Sequence, residues 1–96
     1  MYNLIKRYNT QIATCEVEIV YLEKDSHKNT EYVENIEVLN PRDFFYNMLF
    51  AKKSDVTACA KLYETRLFEK IRYPKGVVYE DTATTYKLIE ECEKIV

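Results

Sequence analysis

Ninety-six residues make at most one small domain, because typical domains run to roughly 100–200 residues, and the shares of 47% hydrophobic and 31% charged side chains are those of a folded soluble chain. Fourteen basic against sixteen acidic side chains leave a net charge of -2, which excludes a nucleic-acid arm or a polybasic membrane anchor. The single glycine, Gly76, excludes a Gly-rich phosphate loop, and nine tyrosines and four phenylalanines without tryptophan leave aromatic bulk to fill much of the core.

Tyr2, Leu4, Ile5 and Tyr8 recur at helical spacing and predict a helix over 1–9. From Ile12 to Leu22 the period changes to two, with Ala13, Cys15, Val17, Ile19 and Tyr21 on one face and Thr14, Glu16 and Glu18 on the other, the pattern of a half-buried strand. A polar turn follows over 23–31, and Tyr32, Ile36 and Val38 predict a second strand pairing with the first as a hairpin. Asn40-Pro41-Arg42-Asp43 is a helix start: Asn40 caps, Pro41 suits the first helical position, and Asp43 favours the positive end of the dipole. Phe44, Phe45, Met48 and Leu49 form its apolar stripe, giving a helix over about 41–51 that breaks at Lys52-Lys53-Ser54-Asp55. A short strand within Val56–Tyr63, a helical turn or two over Thr65–Ile71 and a turn at Tyr73-Pro74-Lys75-Gly76 come next. The last segment, about 82–95, reads as an amphipathic helix with Leu88, Ile89, Cys92, Ile95 and Val96 on its apolar half. One α+β unit is the predicted class.

Cys15, Cys59 and Cys92 are odd in number and widely spaced, unlike a disulfide framework or a zinc site, and their apolar neighbours predict buried reduced thiols. The only histidine, His27, lies in a polar run that reads as a solvated turn. With no signal peptide and no apolar run of about 18 residues, a cytoplasmic location is expected. Few groups offer chemistry. Asp81 is a helix N-cap by its position, with a catalytic carboxylate as the alternative. Glu16 and Glu18 share a strand face, where solubility alone accounts for them. Lys61, Lys70, Arg72 and Lys75 around the Pro-Gly turn form a basic rim that either meets a phosphate or is simply solvated. Tyr63, Phe68, Tyr73, Tyr79 and Tyr86 serve either as core packing or as a platform on which a sugar stacks.

The stretch Lys61-Leu-Tyr63 through Arg66-Leu-Phe68-Glu-Lys-Ile71-Arg-Tyr-Pro74-Lys-Gly76-Val-Val-Tyr79-Glu80-Asp81 to Thr85-Tyr86-Lys87-Leu88 closely resembles the second half of bacterial family 2 glycosyltransferases. Tyr2-Asn-Leu-Ile-Lys-Arg-Tyr-Asn9 to Cys15 resembles the segment that follows their metal-binding motif, in the same order and at the same spacing. The resemblance covers the termini well and residues 23–55 poorly.

The resemblance implies a GT-A fold, with a short mixed sheet flanked by three or four helices, and an inverting transfer of sugar from a nucleotide sugar to a hydroxyl acceptor in the synthesis of cell-surface polysaccharide or glycan. The Glu-Asp pair of the family falls on Glu80-Asp81, with Asp81 as the base that takes the acceptor's proton, and Lys61 and Tyr79 fall where substrate is contacted. The complete enzyme would use Mg or Mn with a nucleotide sugar, at the inner face of the bacterial membrane. The chain departs from the pattern in four ways: it has no Asp-x-Asp, Ala60 replaces the usual asparagine before Lys-Leu-Tyr, Thr82 replaces the third acidic residue, and Lys75 stands between Pro74 and Gly76. The expectation is therefore the carboxy-terminal, acceptor-side piece of such an enzyme, inactive and cofactor-free by itself. A free-standing interaction or self-associating domain is the alternative. An unpaired edge on the Ile12–Leu22 strand adds the expectation of a homodimer.

Overall fold

Residues 1–17, 35–51 and 55–96 are described by a computed structural model. Helix α1 spans Tyr2–Tyr8 and ends where Asn9 takes φ 51, a left-handed conformation that asparagine tolerates, with its N–H turned back onto the Ile5 carbonyl. Lys6 and Arg7 in the last turn face the negative end of the helix dipole. Strand β1 follows at Ile12–Thr14.

Helix α2, Pro41–Tyr46, begins as the sequence predicts. The Asn40 side chain accepts from the Asp43 N–H at 2.9 Å and donates to the Asp43 carboxylate at 2.8 Å, so each residue satisfies the other. The helix then widens into a π-helical turn, Asn47–Ala51. Strand β2 is Lys61–Tyr63, followed by a 3₁₀ turn at Thr65–Phe68 and helix α3 at Thr85–Glu90. The class is α+β: the described residues form three α-helices and a two-stranded antiparallel sheet in which Ile12 faces Tyr63, Ala13 faces Leu62 and Thr14 faces Lys61.

The free side of β1 is closed by the last residues of the chain. Gln11 N–H donates to Lys94 C=O, Thr14 N–H to Val96 C=O at 2.7 Å, and Val96 N–H to Ile12 C=O at 3.0 Å. Ile95 in turn exchanges two 2.8 Å hydrogen bonds with Leu39. The resulting order across the layer is Leu39, Ile95, β1, β2. Gln11 locks this arrangement from the side, since its buried amide oxygen accepts from the N–H groups of Glu93 at 2.9 Å and Lys94 at 3.0 Å. Ile12, Phe44, Leu67, Leu88, Ile89, Cys92 and Ile95 form the core over this layer. Each large apolar side chain buried there contributes about 1.5–3 kcal/mol relative to exposure.

Several expectations are corrected. Among the described residues the first strand stops at Thr14; Cys15 and Val17, predicted to share a buried face with Ala13, are exposed, because β2 gives it only three partners. Residues 18–22 of that prediction, with Glu18, Ile19 and Tyr21, lie outside the described residues, as do His27, Tyr32 and Lys52–Ser54. Ile36 and Val38 form no strand and no hairpin with β1; their neighbour Leu39 instead bridges Ile95. Leu49, placed on the apolar stripe of α2, is 64% exposed and lies in the π-helical turn beyond α2. The terminal helix is six residues rather than fourteen, and Ile95 leaves it to enter the sheet, although Leu88, Ile89, Cys92, Ile95 and Val96 are all buried as predicted. Over Ile12–Thr14 the predicted open edge is flanked by β2 on one side and by residues 94–96 on the other; residues 18–22 of that edge lie outside the described residues.

Candidate functional site

The ladder between β1 and β2 ends at Thr14 and Lys61, and the two chains diverge there around an open cleft of about 490 Å³. Its walls are Thr14 at the end of β1 with Cys15–Val17 after it, Met48 from the π-helical turn, and Asp55, Thr57, Cys59 and Ala60 leading to Lys61 at the start of β2. Local hydrogen bonds shape the last wall. Asp55 Oδ1 accepts from the Thr57 N–H at 3.4 Å, and Thr57 Oγ1 accepts from the Cys59 N–H at 3.3 Å, the side-chain-to-backbone turns that Asp and Thr favour. Ala60 then takes a left-handed φ of 56 and its carbonyl receives the Cys15 N–H at 3.0 Å.

Lys61 is the one cation lining the cleft among the described residues. Its ammonium donates to the Thr57 carbonyl at 2.7 Å, and its side chain is half-buried. Burial pushes the Lys61 ammonium below the ordinary lysine range, while Asp55, Cys59, Cys15 and Asp81 are near enough to oppose that shift.

Asp81 stands outside the cleft wall but within electrostatic reach of Lys61. Its carbonyl accepts from the N–H groups of Thr84 at 3.1 Å and Thr85 at 2.8 Å, so its backbone starts the turn that becomes α3. The residue at the cap position is Thr84, not Asp81 as the sequence suggests, because the Asp81 Oδ1 accepts from the adjacent Thr82 N–H at 2.9 Å instead. Its other oxygen, Oδ2, has no hydrogen-bond partner among the described residues. Glu80 and Asp81 are both partly buried, and they follow Tyr79, which is 78% exposed and holds a left-handed φ of 59. Of the four residues assigned by resemblance, the fold brings Lys61 and Asp81 into range of each other; Glu80 adjoins Asp81, and Tyr79 points to solvent away from the cleft lining.

The other candidates separate. Lys70, Arg72 and Lys75 are exposed, and Lys61 belongs to the cleft rather than to their rim. Glu16 is exposed on the cleft wall. Three of the five aromatic residues pack inward: Tyr63 meets Phe68 edge-on at 5.4 Å, and Phe68 lies 6.2 Å from Tyr73, against the core. The Tyr73 hydroxyl lies 3.2 Å from Thr85 Oγ1, while the Tyr63 hydroxyl is buried without a full hydrogen bond; that burial, with Tyr73 beside it, pushes the Tyr63 phenol upward. Cys15 and Cys59 are exposed, contrary to expectation, because neither lies in a covered strand; Cys92 is buried, donates to the Leu88 carbonyl at 3.2 Å, and burial pushes its thiol up to about 12.

The cleft itself and the Gln11 clamp had no local signal, since both arise from pairings between distant segments. Comparison with protein-family models, with curated proteins and with solved structures found no match. Among the described residues no helix is long and apolar enough to cross a membrane.

Proposed function

We propose that the chain supplies the acceptor side of an inverting family 2 glycosyltransferase, with Asp81 as general base. The observation that supports this reading is the partly buried Asp81 carboxylate, with one oxygen lacking a partner among the described residues, within electrostatic reach of the half-buried Lys61 ammonium that lines an open cleft. In that reading the free oxygen takes the proton of the acceptor hydroxyl as the hydroxyl oxygen attacks the anomeric carbon and the nucleoside diphosphate departs. Lys61 holds a positive charge within electrostatic reach of the base and offers its remaining N–H donors to hydroxyl oxygens of the acceptor. Among the described residues no group of three or more His, Cys, Asp or Glu could hold a metal ion.

Joining the chain to the donor-binding half of a family 2 enzyme and measuring sugar transfer tests the reading. Asp81→Asn, which keeps the size of the side chain, should lower turnover by about 10²–10⁴-fold with little loss of fold. Normal turnover by that variant removes Asp81 from the role. The chain by itself should bind no nucleotide sugar tightly, and micromolar dissociation constants in calorimetry with nucleotide sugars and manganese would contradict this.

A second reading, a self-associating interaction domain, draws on the run Val77, Val78 and Tyr79, which are 51%, 78% and 78% exposed. Sedimentation equilibrium of the chain and of its Val78→Asp variant decides it. A dimer that the charge abolishes supports the second reading, and an 11.5 kDa species for both removes it.

A further inference from the structure

Two of the three cysteines line the same cleft, one from each of its facing walls. Cys15 comes directly after β1 and Cys59 comes two residues before β2, and the hydrogen bond from Cys15 N–H to Ala60 C=O ties the two segments together at 3.0 Å. Cys15 thus lies beside the residue that follows Cys59 in the chain. In a regular ladder the two side chains would fall on opposite faces, but the ladder has ended, and the left-handed Ala60 turns the chain so that both residues border one space. Both thiols are exposed, neither makes a side-chain hydrogen bond among the described residues, and both lie within electrostatic reach of the Lys61 ammonium. Exposure to solvent and a second thiol on the facing wall are what a cysteine needs to react with an oxidant and then be resolved to a disulfide. Cys92, buried in the core and donating to Leu88 C=O, has none of these features.

We propose that Cys15 and Cys59 form a redox-active dithiol at the cleft, oxidised by peroxides to an intrachain disulfide and restored by small thiols. One sulfur attacks the peroxide, the O–O bond breaks and water leaves, giving a sulfenic acid; the second sulfur then displaces the sulfenic oxygen as a second water. Together the two thiols give up two protons and two electrons, and one hydrogen peroxide becomes two waters. The bond would tie the β1 end to the β2 end and narrow the cleft beside Lys61. This inference is independent of the sugar-transfer reading and stands or falls without it.

The test uses the full reduced chain treated with hydrogen peroxide near stoichiometry, followed by mass measurement and tryptic mapping. The expected product has lost two hydrogens per chain, retains one titratable thiol at Cys92, and yields a linked pair of peptides 8–24 and 54–61 that dithiothreitol separates. Cys15→Ser and Cys59→Ser should each abolish the linked pair while Cys92 stays reduced. Disulfide-linked dimers in place of the intrachain link, or oxygen added to single cysteines with no link, would overturn the proposal.

Discussion

Ala60 and Tyr79 hold φ values of 56 and 59, where an L side chain costs roughly 1–2 kcal/mol. Neither is glycine or asparagine, the residues that accept this conformation most readily. Ala60→Asn and Ala60→Gly should therefore stabilise the fold by about 0.5–1 kcal/mol, the glycine gain being reduced by its greater freedom in the unfolded chain. A higher thermal midpoint checks this, and a drop in either variant would mean that the Ala60 methyl makes a contact worth more than the strain. Titration gives a second residue-scale prediction. The Cys92 thiol rises from an ordinary 9.0 to about 12, so the folded state disfavours the thiolate; the stability it contributes is complete below about pH 9 and is lost as pH climbs toward 12. The raised Tyr63 phenol acts in the same direction, and the lowered Lys61 ammonium acts in the opposite one. Thermal midpoints measured across pH 8–12 should fall on the alkaline side, and the fall should be shallower in Cys92→Ala.

Among the elements, those with local causes are the ones that the sequence makes legible. The start of α2 depends on Asn40, Pro41 and Asp43 within four residues, and the cap forms as those residue types require. Asn40→Ala should cost about 1 kcal/mol, read as a lower denaturation midpoint at unchanged slope. Gly76, with φ 75, serves the turn that Pro74 and Gly76 mark. The extent of β1 and α3 was less legible for a physical reason. Alternation from Ile12 to Leu22 shows which side chains would share a face, but a strand also needs partners, and β2 supplies only three. Likewise the apolar spacing of residues 88–96 suits a helix and a buried extended end equally, and the hydrogen bonds of Ile95 to Leu39 decide in favour of the extended end. In the candidate site, the electrostatic reach between Lys61 and Asp81 joins positions twenty apart through a turn at Tyr79 that no residue type announces, so no local pattern shows it.

At the scale of the molecule, the two ends of the chain hold one another. Residues 11–14 lie between β2 on one side and residues 94–96 on the other, and the side chain of Gln11 ties the junction at Glu93 and Lys94. On the side away from β2, Gln11 N–H, Ile12 C=O and Thr14 N–H are thereby paired with the chain terminus. Removing residues 94–96 should therefore do more than shorten a tail: it strips Ile95 and Val96 from the core, unpairs Ile12 and Thr14, and leaves Leu39 without its bridge. A bare edge beside newly exposed apolar surface recruits another copy, so the shortened chain should associate in a concentration-dependent way even where the full chain sediments at 11.5 kDa. Gln11→Leu is the milder counterpart, since it keeps the chain ends paired but leaves two N–H groups without their acceptor, at a cost of about 1–3 kcal/mol. The two variants separate edge from clamp: association by the shortened chain should resist Val78→Asp, because its contact is the β1 edge and not the exposed valine turn. If the charge at position 78 instead restored a monomer, the valine turn would be the associating surface and the closure of β1 by the chain terminus would have no part in keeping copies apart.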